Sequence, residues 1–325
     1  MEEVIIGGVG KYIPSKKITN DHLGDIVDTN DEWIFSRTGI KSRYISTGED
    51  TSYMAAMACE KAIKEANISV LDIDLIVLGT CTPDMFTPST ACIVQSIIGA
   101  KNAVTFDISA ACSGFIFGLD LAKSLIKMHN YKHALVVGAE NLSKSIDWKD
   151  RSTCVLFGDG AGAVVLSRSE SPGLGNSFCK SEGDKWNCIT IEGNDIDSPF
   201  VDSKTIRKSK LKMNGNEVFK FATSTIVKSI NKILEENNLS LEDIDYIVPH
   251  QANMRIIEYA AKKLKLPLEK FYTNIHEYGN TSAASIPMAL SDMYEEGLLK
   301  EGNKIILVGF GAGLTYGATF INWSI

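Results

Sequence analysis

Two stretches of this chain repeat one another at a fixed offset, and that repeat narrows its folds more than any other feature. Residues 67–77 read NISVLDIDLIV and residues 238–248 read NLSLEDIDYIV, 171 positions apart. The run ALVVG at 134–138 faces IILVG at 305–309 with the same offset of 171. A helical pattern precedes each copy. Val218, Ala222, Ile226, Ile230 and Leu234 recur every four residues, as do Met54, Ala58 and Ala62, a spacing that buries one stripe of a helix. Solenoid repeats run to roughly 20–50 residues, so this period reads as duplication of a whole α/β unit.

Short β-branched runs alternating with helices predict a largely parallel sheet covered by helices in each half. Strands are expected at 3–9, 75–80, 103–108, 134–139 and 161–167, then at 189–192, 245–249, 271–274, 304–309 and 315–322. The halves are expected to be 1–170 and 171–325. The segment 168–212 is rich in Ser, Gly, Lys and Asp and is expected to hold the connection. Its stretch from Lys204 to Lys212 has five bases and no acid.

Apolar residues make up 44% and charged residues 22% of the chain, enough for a large core and too apolar for disorder. A net charge of −7 argues against general nucleic-acid binding, which needs a positive field. The start has neither the basic flank nor the long apolar core of a signal peptide. No run approaches the ~18 apolar residues of a membrane span, so a cytoplasmic protein is expected. The seven cysteines (59, 81, 92, 112, 154, 179 and 188) are odd in number and form no C-x-x-C pair, which disfavours a disulfide framework or a zinc ribbon. His22, His129, His133 and His276 show no ligand spacing, so no metal is expected.

Three segments carry chemistry. In FDISAACSGF, residues 106–115, a strand ends in small residues and Cys112 opens a helix with Phe115, Leu119, Ala122 and Ile126 on one face. The unpaired N–H groups of a helix start are expected to lower the thiol pKa and make a nucleophile. The plainer reading is a buried structural cysteine. His250, in IVPHQANMR, stands just past a repeat strand, where α/β sheets present functional groups. Asn280 lies in a Gly-Asn turn of EYGNTSAAS, and a turn-forming Asn is its plainer reading. Subtracting the repeat offset from Ala283 returns Cys112, so Asn280 and Cys112 occupy nearly equivalent places across a pseudo-twofold. FGDGAGA at 157–163 is followed by Val-Val-Leu instead of a helix; it lacks the dinucleotide fingerprint and reads as close backbone approach. GFGAG at 309–313 is suited to bring backbone N–H groups near the thiolate.

These segments, with DTNDEWIFSRTGI at 28–40, LFGDGAG at 156–162 and MNGNEVF at 213–219, resemble β-ketoacyl-acyl-carrier-protein synthase III, the initiating condensing enzyme of type II fatty acid synthesis. The resemblance runs over nearly the whole chain. It implies a thiolase-like α/β fold, duplicated halves in five layers (αβαβα), and a homodimer. It implies that Cys112 takes an acyl group from acyl-coenzyme A. His250 and Asn280 would then hold the malonyl thioester oxygen during decarboxylation. Trp33 and Arg37, with Arg151 and Thr29, match the coenzyme A mouth. Gly215, Asn216, Phe219, Ala252 and Asn253 match the tunnel and pantetheine region. Arg255 matches a docking residue for malonyl-acyl-carrier protein. Lys262 and Lys263 follow it on a helix whose buried stripe is Ile256, Ile257, Ala260, Ala261 and Leu264. Where the family commonly has three glycines this chain has Gly311-Ala312-Gly313, leaving the second oxyanion donor, beside the Cys112 N–H, between Gly311 and Ala312. Coenzyme A thioester is a substrate, and no cofactor is implied.

The proposed chemistry needs these residue types. A carbon–carbon bond beside a thioester requires a carbanion, and decarboxylation supplies one without a strong base. A degradative thiolase needs a second cysteine in its C-terminal half, and none occurs beyond Cys188. A ketosynthase or acyltransferase of specialised metabolism would use the same triad on another primer. A non-catalytic carrier-binding partner would not need Cys112, His250 and Asn280 together.

Overall fold

The computed structural model describes residues 3–193, 199–200 and 209–325. Five strands, β1 (Glu3–Tyr12), β4 (Ile73–Gly79), β5 (Val104–Ile108), β6 (His133–Glu140) and β7 (Gly160–Ser169), join in the order β1-β7-β6-β4-β5. The intervening β2 (Lys16–Thr19) and β3 (Ser42–Ile45) form a ribbon of their own. In the second half, β8 (Leu174–Ser181), β11 (Tyr246–Pro249), β12 (Lys304–Gly311) and β13 (Thr315–Asn322) join in the order β11-β12-β13-β8. Short β9 (Ile189–Ile191) and β10 (Leu211–Met213) pair with each other.

Helices alternate with these sheets. The small α1 (Asn20–Gly24), α2 (Asp31–Thr38), α6 (Arg151–Cys154) and α9 (Ile275–Tyr278) sit in connections. The larger helices are α3 (Thr51–Glu65), α4 (Thr90–Ile98), α5 (Gly114–His129), α7 (Gly215–Glu236), α8 (Met254–Leu264) and α10 (Ser285–Glu295). Met54, Ala58 and Ala62 of α3 and Val94 of α4 cover the outer face of the first sheet through Ile76, Leu78 and Val137. Between the sheets, Phe115, Leu119 and Ala122 of α5 meet Ile286, Ala289 and Leu290 of α10, packed on Val136, Leu307 and Ile321. Ala222, Ile226 and Ile230 of α7 and Ile257 and Ala260 of α8 close the outer face of the second sheet. These are five layers, held by apolar burial worth roughly 1.5–3 kcal/mol per large side chain.

The 171-residue offset is visible in the backbone. It carries β6 onto β12 at both ends and the start of α5 onto the start of α10. It also relates two left-handed pairs, Asn67 (φ 51°) with Asn238 (φ 53°), and Ala111 (φ 45°) with Ser282 (φ 50°).

Three expectations are corrected. The sheets are mixed: β4 pairs parallel with β5 and β6, and β11 with β12, whereas β7 runs antiparallel to β1 and β6, and β13 to β12 and β8. Residues 312–314 turn the chain straight back from β12 to β13, and residues 141–159 between β6 and β7 hold only a 3-10 turn and α6, with no long crossover helix to carry the chain round to a parallel start. The stretch 271–274 makes a single bridge, Phe271 with Ile247, because the chain turns at once into α9. Within 168–212, β8 is a sheet strand; it lies at the sheet edge, where alternate polar residues face outward. Of the basic run, Lys204, Arg207 and Lys208 lie outside the described residues. Lys210 donates to the Ile146 carbonyl (2.8 Å) and Lys212 pairs with Glu192 (2.8 Å). Among the described residues no helix is long and apolar enough to cross a membrane.

Candidate active site

Cys112, His250 and Asn280, distant in sequence, line one cavity of about 1110 Å³. Cys112 sits on a short 3-10 turn, Ala111–Ser113, with α5 beginning immediately after it at Gly114. The second half clamps this turn. The Ser113 hydroxyl donates to the Thr315 carbonyl (3.0 Å), and the Thr315 hydroxyl donates to the Ala110 carbonyl (3.0 Å). A Cβ at Gly311 would lie 2.8 Å from the Cys112 Cβ and 2.9 Å from its N. Glycine is therefore what lets the end of β12 close on the sulfur-bearing residue.

The expected low thiol pKa is not the resting state. Burial pushes the Cys112 thiol up to about 12; the charge of Glu140 adds to this, while the Ser282 hydroxyl and the Cys112 N–H oppose it. Desolvation of a thiolate costs more here than the helix start returns.

His250 follows β11 and is 2% exposed. Its N–H donates to the Val308 carbonyl (2.8 Å), its Nδ1 lies 2.8 Å from the Ser285 Oγ, and its ring meets Phe310 edge-on. Burial drives its pKa down to about 3, so the imidazole is neutral near pH 7. The Ser285 hydroxyl at the start of α10 also accepts from the Gln251 N–H (3.4 Å). Ser285 lies in a segment singled out from sequence, yet no local pattern reveals its partner 35 residues away.

Asn280 is fixed by the glycine run. Its N–H donates to the Leu156 carbonyl (2.9 Å), its carbonyl accepts from the Gly158 N–H (3.1 Å), and a Cβ at Gly158 would stand 2.3 Å from the Tyr278 carbonyl. The run thus serves close backbone approach, as read from sequence. The Asn280 Oδ1 accepts from the Ser282 N–H (2.8 Å), which leaves its amide NH₂ for the cavity.

Sequence reasoning missed the cluster behind Cys112. Glu140, at the end of β6, is fully buried. Its carboxylate accepts from the hydroxyls of Thr80 (3.2 Å), Thr82 (2.6 Å) and Ser282 (3.0 Å), and from the N–H (3.1 Å) and thiol (3.2 Å) of Cys81. Cys81 and Ser282 also line the cavity.

At the mouth, Asn30 caps α2 by accepting from the Trp33 N–H (2.8 Å). The guanidinium carbons of Arg37 and Arg151 lie 4.6 and 4.7 Å from the Trp33 ring centroid, within cation–π range. Arg151 is held by the Asp28 carbonyl (2.7 Å). Gly215, Asn216 and Phe219 at the start of α7, with Ala252 and Asn253, line the same cavity. Asn253 commits its side chain to the fold, capping α8 at the Arg255 N–H (2.9 Å) and donating to the Arg37 carbonyl (3.0 Å). Arg255 stands at the rim, 5.8 Å from the Phe219 ring centroid. Thr29, Lys262 and Lys263 do not line the cavity; the two lysines are exposed on the last turn of α8. At the far side, Gly311 and Ala312 both border it. Among the described residues no cluster of His, Cys, Asp and Glu has a geometry for metal.

The family model described as 3-oxoacyl-[acyl-carrier-protein (ACP)] synthase III matches residues 106–183, and that of its C-terminal part matches residues 234–323. The beta-ketoacyl-[acyl-carrier-protein] synthase III of Clostridium novyi (strain NT) is 53% identical over the whole of both chains. That of Clostridium beijerinckii is 52% identical over 99% of this chain and 100% of its own. The crystal structure of 3-oxoacyl-[acyl-carrier-protein] synthase III from Aquifex aeolicus VF5 superposes with a TM-score of 0.93 at 45% identity, covering 99% of this chain and 100% of the other. With family models over half the chain and relatives alike from end to end, this chain belongs to the 3-oxoacyl-[acyl-carrier-protein] synthase III family.

Proposed function

We propose that this enzyme condenses an acyl-coenzyme A primer with malonyl-acyl-carrier protein through an acyl group on Cys112. The products are 3-oxoacyl-acyl-carrier protein, coenzyme A and carbon dioxide, and the step initiates fatty acid synthesis. The observation that carries this reading is one cavity in which a thiol meets a neutral imidazole and an unengaged amide NH₂, in a chain of this family. With the Ser285 hydroxyl donating to Nδ1, the His250 ring carries its own hydrogen on Nε2. Nε2–H and the Asn280 amide are then two donors for the enolate oxygen that decarboxylation creates, each worth roughly 3 kcal/mol in the transition state. The carbanion attacks acyl-Cys112, whose oxyanion is met by the Cys112 N–H and by that of Gly311 or Ala312. Coenzyme A thioester is substrate, and no cofactor is required.

Trp33, Arg37 and Arg151 bind the nucleotide of coenzyme A, with Thr29 behind them. Gly215, Asn216, Phe219, Ala252 and Asn253 form the pantetheine wall, and Arg255, Lys262 and Lys263 meet the acidic carrier protein. The halves 1–170 and 171–325 bring the nucleophile and the two donors respectively, and these substrates assign the enzyme to the cytoplasm. A second copy would pair along β5. That strand ends its sheet, and Val104, Ile97, Met85 and Phe86 around it are 51, 45, 49 and 78% exposed. Light scattering should read the mass of two chains; the mass of one chain at micromolar concentration would remove the dimer.

Labelled carbon dioxide released from malonyl-carrier protein, dependent on acyl-coenzyme A, tests the function. Acyl transfer without release would leave only an acyltransferase. In the same assay two variants should separate. Trp33→Ala is expected to raise KM for acyl-coenzyme A about tenfold, and Arg255→Glu to raise KM for the carrier protein about tenfold at low salt. Each should spare the other substrate. Equal losses on both substrates would reject the two binding assignments.

A further inference from the structure

Glu140 is a buried carboxylate that the condensation scheme does not use. Among the described residues no cation pairs with it, and its hydrogen-bond partners are hydroxyls, a thiol and one amide. Keeping such a charge out of water is expensive. Its field also opposes a thiolate at Cys112. A group that costs stability and hinders ionisation of the nucleophile calls for a use.

Ser282 supplies the link. Its hydroxyl donates to Glu140 (3.0 Å), and its turn, Ser282–Ala284, packs on the Ala111–Ser113 turn, so that Ser282 and Cys112 line the cavity side by side; the same hydroxyl eases charge on the Cys112 sulfur. With its own O–H given to the carboxylate, the Ser282 oxygen keeps lone pairs that can accept from a thiol. The backbone holds it there: Ser282 adopts a left-handed φ of 50°, and its N–H is fixed on Asn280 (2.8 Å). The other titratable group of the cluster is Cys81 after β4, whose thiol donates to Glu140 (3.2 Å); the His250 ring, after β11, is turned to Ser285 and Phe310. Lys144 is turned to the Thr82 and Pro83 carbonyls (2.9 Å each), and Asp159 to the N–H groups of Ser46 (2.8 Å) and Ser143 (2.9 Å).

We propose that Glu140, acting through Ser282, accepts the Cys112 thiol proton, so that one buried negative charge moves between carboxyl and sulfur. The Cys112 S–H and Ser282 O–H bonds break. New O–H bonds form on Ser282 and on the Glu140 carboxyl, and the electron pair stays on sulfur. Resting on the function proposed above, the thiolate attacks the acyl thioester carbonyl and the acyl–coenzyme A bond breaks. The relay then runs backward, returning the proton to the leaving sulfur. Two adjacent buried anions are never formed, which is how a thiol at about 12 reacts near neutral pH. In this scheme Glu140 is the base and Ser282 the group that carries the proton to it, while only Cys112 bonds to the acyl group.

The test reads Cys112 alkylation by iodoacetamide, followed by peptide mass spectrometry from about pH 6 to about pH 9, beside single-turnover acyl transfer. The wild-type alkylation rate should be nearly flat with pH. Glu140→Gln and Ser282→Ala should each be slowed about 100-fold at pH 7, with log rate rising at unit slope as hydroxide replaces the carboxylate. The double variant should be no slower than either single one, since both cut one path. Glu140→Asp should recover part of the rate. An alkylation rate in Glu140→Gln equal to or above wild type would overturn the relay, because removing a merely repulsive charge speeds thiolate formation. Ser282→Ala leaves Glu140 its other donors, so it decides the matter if Glu140→Gln does not fold: a wild-type rate there overturns the relay equally. Alkylation needs no acyl-coenzyme A; wild-type protein that alkylates normally but accepts no acyl group would reject the proposed function and leave the relay standing.

Discussion

Cys112→Ser should lose acyl transfer from acyl-coenzyme A by about a thousandfold or more, with no acyl group appearing on any other residue. Of the two thiols lining the cavity, that of Cys81 is given to Glu140 and that of Cys112 is not, and a serine alkoxide is far harder to form than a thiolate in the same desolvated space. The substitution is nearly isosteric, so the clamp of Ser113 and Thr315 around the turn should persist. The check is intact-protein mass after incubation with a panel of acyl-coenzyme A thioesters. The other six cysteines are unpaired, and stoichiometric acylation of one of them in the variant would remove Cys112 from its role.

The second large effect divides the two half-reactions. His250→Ala and Asn280→Ala should each slow decarboxylation of malonyl-carrier protein by about 100- to 1000-fold, the loss expected for one preorganised donor to an oxyanion. Acylation of Cys112 should fall far less. The pH dependence follows from burial. His250 is held neutral down to about 3, so wild-type decarboxylation should show no acid limb near the ordinary histidine value of 6.5. The unfolded chain protonates this histidine below about 6.5 while the fold resists until about 3. The unfolded state therefore binds the extra proton in that window, and this residue lowers stability as pH falls through it. An Asn280→Ala enzyme that decarboxylates normally yet cannot be acylated would reverse the assignment.

Periodicity and repetition made much of this fold legible. Stripes such as Ala222, Ile226 and Ile230 reach the core as spaced, and the 171-residue offset aligns two strands, two turns and two helix starts. The three motifs, and the family resemblance they carry, also singled out Cys112, His250 and Asn280, which line one cavity. What escaped is non-local. β8 is polar enough to pass for a linker because it lies at a sheet edge, and 271–274 looks like a strand but gains only one bridge. The thiol was expected to be acidic from its helix start, a local feature, while burial by the opposite half decides the sign. Glu140, Cys81 and Ser282 come from three distant segments, and no pattern along the chain joins them.

The clamp on the Cys112 turn bears on how the chain matures. Synthesis proceeds from the N-terminus, so the cysteine emerges well before Thr315 and Gly311, which hold and cover it. Ser282, the proposed relay to Glu140, and His250 and Asn280, the proposed enolate donors, likewise join the cavity only once residues 250–285 have met the first half. A nascent or half-folded chain therefore carries an ordinary cysteine, without the cavity that would commit it to a thioester. On the proposed reading, acylation is therefore expected only once the last two strands have docked on the Cys112 turn.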